Sequence, residues 1–584
     1  MTGRSYFLTF ILILAGTFST LGQSGRPVPS PASTPVPDAQ GVTPGDLQGV
    51  PQVAAGYQSV DRSLPELGRV GVELTAQKTL TLREAIEMAL TNNRDIEVSR
   101  KTEQIAEYDF AAARGFYQTR LVGKTYYERT TVPNTSIFST NEKTTSRNIL
   151  GDATITGYYP KYGTVFQGSF SETQVSSNNP ISIISPQYNT NLNFNFTQPL
   201  MRGRKMDQPR RLIEIARRNM ELTDIQFRQR SIETVASVQR SYWDLTYALR
   251  NLQVQRDSLK DAKDQLEHNK RLVNEGQLAP IDVTAAETQV ANFEQTVYDA
   301  LNTANLSENA LKNLIAPNRT DAIWSYAITP VEPVEVATPN TSLPEAMDIA
   351  VNNRPELEIN QTQKDINLID QRFYADQKKP QIDLVGSYTS TGIGGALNRQ
   401  FVNPFARTAC LIPTSPECQA IIQQQQAFIS QIGGPFSSFG DIFANKYPTV
   451  RFGVTFNLPL GGDKTAAAQF GKSRVEGERL DVQREQIEQS IQVEVRNALQ
   501  SIRTAEARLR SASIARENTQ KQYESEQRKL DDGQSDVYKV LERQTALSVA
   551  RSNELRARTE LNKAIADLQR TTGNTLKAND VIAK

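Results

Sequence analysis

The chain has 584 residues and its charges cancel: 65 Lys and Arg stand against 64 Asp and Glu, for a formal net charge of +1. That balance offers no electrostatic footprint for nucleic acid, and one histidine, His268, with two cysteines is too few for most His- or Cys-based metal or redox chemistry. A hydrophobic fraction of 38% and a mean hydropathy of −0.48 are too polar for a protein of many membrane-crossing helices.

Residues 1–22 combine Arg4, an apolar run from Tyr6 to Phe18, and small residues near Thr20 and Gly22. This is the pattern of a secretory signal, too short to span a bilayer, with cleavage expected near Gly22-Gln23. No cysteine follows it to carry a lipid anchor. Residues 23–78 are expected to be a Pro/Ser/Gly-rich disordered leader, densest between Arg26 and Pro51; a solvated spacer is the plainer role, a tether the alternative. No later run approaches about 18 apolar residues, so an exported chain of this kind is either soluble or a β-barrel.

The chain then repeats itself once. Leu82, Glu84, Ala85, Ala89, Asn92 and Glu97 return about 260 residues later as Leu343, Glu345, Ala346, Ala350, Asn353 and Glu358. Pro199-Leu200 returns as Pro459-Leu460, and Gly276-Gln277 as Gly533-Gln534. Residues 79–330 and 331–573 therefore read as two structural repeats, followed by a tail over 574–584.

Each repeat opens with a short helix and then switches to a period of two. The first offers four strand-like runs, about Tyr117–Arg129, Leu150–Tyr159, Thr164–Thr173 and Thr190–Gln198. The middle pair is expected to turn at Pro160-Lys161-Tyr162-Gly163 and either to project beyond a membrane or to add strands to a barrel. In the second repeat, Gln381–Thr389 and Arg451–Leu458 alternate, with Phe452, Val454, Phe456 and Leu458 opposed to Arg451, Gly453, Thr455 and Asn457. Strands of this kind suit a transmembrane barrel with a wet lumen, although a half-buried soluble sheet alternates in the same way. Between these two runs lies a long loop, Ser390 to Tyr447, with Cys410, Cys418 and the glutamines Gln423–Gln426. In an exported chain the cysteine pair reads as a disulfide closing a small loop, against the alternative of two free thiols.

The helices separate the two kinds of sheet. Arg204 to Leu272 contains no glycine and only Pro209, and Thr465 to Leu530 is clean after Gly477. At 1.5 Å per residue each is a rod on the order of 100 Å long. Each stops at a glycine, Gly276 or Gly533, and a second helix returns, Pro280 to Ile315 or Asp536 to Arg570. In the last of these, Leu547, Leu561 and Leu568 recur at multiples of seven beside Ala550, Ala557 and Ala564, the seam of a coiled coil. Glu554 interrupts the leucine track, as for a face that meets water. A soluble sheet has no use for such rods, whereas a conduit crossing a membrane and the space beneath it needs both parts.

Four short motifs lie in order along this frame: Leu80-Thr81-Leu82-Arg83-Glu84-Ala85 to Asn92-Asn93, Thr197-Gln198-Pro199-Leu200-Met201-Arg202-Gly203, Ser241-Tyr242-Trp243-Asp244-Leu245, and Gly276-Gln277-Leu278-Ala279-Pro280-Ile281-Asp282-Val283. Together they resemble the TolC-type outer-membrane efflux protein family over about residues 79–573. The resemblance implies an α+β membrane protein of internally duplicated repeats. Long coiled-coil helical hairpins form a periplasmic α-barrel, and each protomer gives four strands to a shared trimeric transmembrane β-barrel. It implies the outer membrane as location, with the helices in the periplasm. It implies as partners two further copies of the chain, a periplasmic adaptor, an inner-membrane pump of RND or ABC type, and outer-membrane lipid. The extra strand-like runs and the long loop depart from the family pattern.

The same resemblance places a pore constriction at the helical tips. The two acidic positions of the family's ring fall on Lys539 and Glu542, with Asp536 one turn earlier and Asp282 as the first-repeat counterpart of Lys539. A Lys539–Glu542 pair, three residues apart, would make a salt-bridged collar; charges that merely solvate a tip are the alternative. Gly276 and Gly533 mark the tip turns, and Pro199 and Pro459 the strand-to-helix junctions. Arg202, Arg204, Lys205, Arg210, Arg211, Arg217 and Arg218 crowd a helix N-terminus, against the macrodipole, and suggest either lipid head groups or a solvated collar. No acid–base or nucleophile set, metal cluster or cofactor motif appears. The expected function is a passive outer-membrane channel for efflux or type I secretion of small molecules or proteins, gated at its tip. The alternative is a secreted structural coiled-coil or adhesin-like protein with a small β head.

Overall fold

The computed structural model describes residues 69–581, apart from 135–140, 334–337, 402, 404–409 and 411–412. The signal, the leader up to residue 68 and the last three residues of the tail lie outside the described residues. The end of the proposed leader is not disordered. Strand β1 (Glu73–Leu80) pairs in parallel with β6 (Tyr326–Pro330). Leu80 enters the core, and Arg69 forms a buried ion pair with Glu308.

The duplication is visible in the helices that follow. The pair α1 (Leu82–Asn92) and α2 (Arg94–Arg114) is answered by α5 (Leu343–Asn353) and α6 (Pro355–Gln377). Both openings are capping boxes, Thr81 with Glu84 and Ser342 with Glu345, in which hydroxyl and carboxylate satisfy each other's free backbone donors.

Six strands make one antiparallel sheet in the order β2 (Arg120–Pro133), β3 (Lys143–Tyr159), β4 (Thr164–Ser177), β5 (Ile184–Pro199), β7 (Gln381–Leu397) and β8 (Tyr447–Asn457). The protomer thus carries six strands where the family resemblance led us to expect four. Of the two readings of the middle hairpin, added strands or a projection, the structure shows the first. The hairpin's strands pair from Tyr159↔Thr164 to Ser146↔Ser177, alongside β2 and β5. Its turn lies at the strand-to-helix junction, where Arg210 donates to the Lys161 carbonyl (3.3 Å) and Gln198 to the Tyr162 carbonyl (3.0 Å).

The rods are α3 (Gln208–Asn274) and, in the second repeat, a 68-residue helix, Lys464–Asp531. Before the latter, the expected loop is partly helical: α7 (Pro416–Ile432) and α8 (Ser437–Phe443) follow a β7 that runs on to Leu397. Cys410 and Cys418 form a disulfide beside α7. Taking the 68-residue rod as α9, the return helices are α4 (Pro280–Ile315) and α10 (Val537–Thr571). The tail adds one short turn, α11 (Thr575–Ala578), and packs Leu576 and Val581 against the core.

That core sits at mid-height on α3, where α1, α4, β1 and β6 converge on Val235, Val238, Tyr242 and Leu245. The buried Tyr242 hydroxyl donates to the Leu80 carbonyl (3.0 Å) and accepts from the Glu332 amide (3.2 Å). Burial pushes this phenol up to about 12. Among the described residues no helix is long and apolar enough to cross a membrane.

Candidate functional site

Register separates the sheet into two faces. One row across it reads Phe452, Gly386, Phe196, Phe166, and the next Val450, Tyr388, Phe194, Gly168, Ile155, Leu121. Phe166, Phe194 and Phe452 on this face are all exposed in the protomer. The opposite face carries Arg451, Ser387, Asn195, Gln167 and Arg120, then Thr449, Thr389, Asn193 and Ser169. Its side chains bond one another: Thr389 donates to Asn193 (2.8 Å), Asn193 to Ser169 (3.3 Å) and Thr391 to Asn191 (3.1 Å).

An arginine on the lipid side of a barrel costs about 2–4 kcal/mol at the bilayer midplane. In a membrane barrel the face with Arg120 and Arg451 would therefore meet water, and the phenylalanine face hydrocarbon. On β8 the apolar face runs from Pro448 to Phe456, roughly 27 Å of strand. A tilt of about 40° brings that near the height of a membrane-barrel belt. The edge strands β2 and β8 are exposed along their whole length.

At the far end of the rods the two hairpin tips share one design. Gly276 and Gly533 have φ of 75° and 71°, a left-handed conformation open to glycine at little cost. Around them Gln277 N–H donates to Leu272 O (2.9 Å) and Gly276 N–H to Val273 O (3.0 Å); Gln534 and Gly533 repeat both bonds with Lys529 (2.7 Å) and Leu530 (3.0 Å). This double bond pattern is a Schellman stop, which satisfies the last carbonyls of each rod.

The charged tip residues are arranged differently from the expected collar. Asp536 caps α10, accepting from the Lys539 amide at 2.9 Å, and also binds the Lys539 ammonium at 3.0 Å. The amide and then the ammonium hold its carboxyl below the usual range, and Lys539 is raised in turn. Lys539 is therefore engaged one turn back, and among the described residues no ion pair joins it to exposed Glu542. In the first repeat the N-cap is Ala279, and Asp282, at the position of Lys539, makes the reciprocal bond, accepting from the Ala279 amide (3.1 Å).

Between the hairpins lies a feature the sequence reading missed. Inside each hairpin the packing is apolar: Ala248 and Leu252 on Ala300 and Ala304, and Ala498 and Ile502 on Leu561 and Leu568. From one hairpin to the other the shafts meet through polar side chains, and only at the tips does an apolar contact join them, Leu278 against Leu530, Val537, Val540 and Leu541. Ser258 bonds Ser548 (3.0 Å), Gln255 bonds Ser552 (3.0 Å), Gln289 bonds Thr545 (2.6 Å) and Asp244 bonds Lys563 (2.9 Å). Nearest the tips, His268 bonds Asp531 (3.1 Å). Hydrogen bonds can be exchanged for water at small net cost, whereas an apolar seam cannot. Along the shafts the two hairpins therefore meet through exchangeable polar bonds, while each hairpin is held together by apolar packing. The recurrence of Thr545, Ser548 and Ser552 every three or four residues was the available signal.

Two other expectations change. Glu554 does not meet water: it is 8% exposed and bonds Arg516 and Arg558, each at 2.9 Å. Burial favours its neutral form, but the two guanidinium groups outweigh this and hold the carboxyl low. The basic cluster at the junction is largely engaged by protein carboxylates: Arg202 with Asp463, Arg210 with Asp207, Arg211 with Asp370, and Arg218 with Glu221 and Asp365. Arg211 and Arg218 tie α3 to α6 and Arg202 joins the two strand-to-helix junctions, so four of the seven basic residues are accounted for without lipid. Pro199 closes β5, and Pro459 accepts from Gly462 in the turn after β8. Among the described residues no group of His, Cys, Asp and Glu could hold a metal ion.

No curated protein matches this sequence. Among solved structures, the outer-membrane channel OprN is similar, with a TM-score of 0.57 at 14% identity over 86% of this chain and 94% of its own. The CmeC outer membrane channel of Campylobacter jejuni gives 0.56 at 12% over 85% and 86%. The outer membrane protein VceC of Vibrio cholerae gives 0.56 at 12% over 84% and 96%. At such identities these likenesses speak for the fold alone. The sequence pattern described as Outer membrane efflux protein, however, matches residues 85–316 and 356–574, once in each repeat and over most of the chain. With its two-faced sheet and paired helical hairpins, the chain belongs to the outer membrane efflux protein family.

Proposed function

We propose that three copies of this outer-membrane efflux channel close a single barrel above a periplasmic tunnel of their long helices, and that the tunnel opens by slippage along the polar seam when an adaptor protein engages the tips. The observation that carries the proposal is the pair of unpartnered sheet edges. β2 leads away from the helices and β8 returns toward them, so β8 of one copy beside β2 of the next continues the antiparallel order. Six strands are too few to close alone, since the smallest membrane barrels have about eight. A bare edge is otherwise a template for aggregation.

Channels of this family form trimers and work with adaptor and pump partners. Three sheets of six strands make a barrel of eighteen, in the range that leaves an aqueous channel. The lumen presents mainly amides and hydroxyls, which supports a passive conduit whose energy comes from an inner-membrane pump of RND or ABC type. Its cargo is a small molecule or, in a type I secretion assembly, a protein. Light scattering of the mature protein in mild detergent tests the assembly: a particle of three polypeptides is expected, and a monodisperse monomer would overturn the proposal.

A further inference from the structure

We propose that α8, between β7 and β8, forms a membrane-surface collar: it lies outside the barrel and seats Phe443, with Phe436 just before it and Phe439 beside them, among the acyl chains of the surrounding lipid at the outer end of the hydrocarbon layer. The proposal rests on the apolar face of the sheet meeting lipid.

Every side chain that holds α8 comes from that face. Thr190 donates to Ser438 (3.0 Å), Ser390 donates to the Ile442 carbonyl (3.2 Å), and Phe170 stacks on Phe439 with ring centroids 5.9 Å apart. Register places Thr190, Ser390 and Phe170 on the side of Phe194 and Phe196, not of Asn191 and Asn193. The seat is close-fitting. A β-carbon on Gly392 would meet the Ser438 carbonyl oxygen at 1.8 Å, so only glycine lets the helix backbone lie directly on the strand. α8 therefore packs on the outside of the barrel wall.

Its height follows from the same rows. Phe170 shares with Leu192 and Pro448 the last row of the unbroken apolar belt; Thr190 lies with Glu172 in the polar row above, away from the long helices, and Tyr127, Ile149 and Tyr188 return on the same face one row higher. So α8 straddles the upper edge of the apolar belt. Ser438 and Ile442 face the sheet, both buried. Phe436, Phe439 and Phe443 share one flank by their spacing, the flank that reaches Phe170; Ser437 and Asp441, the latter paired with Lys446 at 3.2 Å, share the other. Phe436 and Phe443 are 83% and 87% exposed, while the rest of the helix is fixed in place. An aromatic flank that lies over Phe170 at the end of the apolar belt matches the girdle position of a membrane barrel.

The test uses the full-length channel in vesicles of phosphatidylcholine with brominated acyl chains, which quench tryptophan on contact. Phe443→Trp and Phe436→Trp are each compared with the parent, whose Trp243 and Trp324 lie in the helical part. Phe452→Trp, in the middle of the belt, reports separately whether the apolar face meets lipid. We expect Phe443→Trp to lose at least half of its added fluorescence, more with bromines near the head group than near the chain ends. With Phe452→Trp quenched, an unquenched, red-shifted Phe443→Trp would mean water, and an unquenched, blue-shifted one a neighbouring copy. Either overturns the collar, and Phe436→Trp must agree. An unquenched Phe452→Trp would instead overturn the membrane orientation on which the collar depends.

Discussion

Replacing Phe452 by arginine puts the orientation of the sheet at risk in a single residue. Phe452 is the third of five outward positions on β8, after Pro448 and Val450 and before Val454 and Phe456, so it lies at the middle of the apolar belt. It is 76% exposed in the protomer, with its ring against the Gly386 position of β7. An arginine there costs about 2–4 kcal/mol per copy, or about 6–12 kcal/mol in a barrel of three. That is comparable to the entire stability of an ordinary domain, about 5–15 kcal/mol. Thr455→Arg, three residues along and on the opposite face, enters the wet lumen beside Asp383, its register partner, and costs little. The assay is the fraction of oligomer that resists dissociation on unheated gels of outer membranes. Phe452→Arg should abolish that band and Thr455→Arg should keep it. Equal assembly of the two would refute the assignment of the faces.

The seam and the tip make two further predictions. Ser548→Leu forces a larger side chain into the buried Ser258–Ser548 contact, an overpacking cost of about 1–3 kcal/mol per copy; it should pry the hairpins apart and raise single-channel conductance in a planar bilayer, and unchanged conductance would show that the seam does not govern opening. Asp536 has a lowered carboxyl pKa in the folded tip, so its contribution is complete above the ordinary aspartate value near 3.9 and is lost only as pH falls through the lower, folded value. Conductance of the parent should therefore change only at the acid end of a titration from neutral pH, and an identical acid step in Asp536→Asn would refute the role of this cap.

Much of the fold is legible in the chain because long-range architecture here rests on local signals. The absence of Gly and Pro gives the rods, Pro280–Ile315 has the observed limits of α4, and the glycines at 276 and 533 stop each rod where an αL residue is required. Strand facing follows from period two, since a slip of one residue would expose every phenylalanine to the lumen. What was not legible depends on contacts between distant segments. The partner of Lys539 was missed because spacing on a helix does not say that a preceding cap has already engaged the ammonium. Glu554 was misplaced because its partner Arg516 lies on the other rod of the hairpin. The seam joins residues almost 300 positions apart, as in Ser258–Ser548. The order of residues 73–80 depends on β6, about 250 residues downstream.

The extra hairpin also bears on the bore of the conduit. Four helices of each copy meet the sheet at the junction: α2 runs into β2, β5 into α3, α6 into β7 and β8 into α9, while the β3–β4 turn has no helix beneath it. Four helices packed side by side at about 8–10 Å span roughly 32–40 Å of arc. Strands about 4.8 Å apart and tilted by about 40° each cover roughly 6 Å of circumference. Four strands would span only about 25 Å and would draw the wall inward where it enters the membrane. Six span about 37 Å, matching the helices on which they stand. In the proposed trimer the β3–β4 hairpin, tied down at its turn by Arg210 and Gln198, would thus act as a spacer that leaves no step in the wall between shaft and mouth.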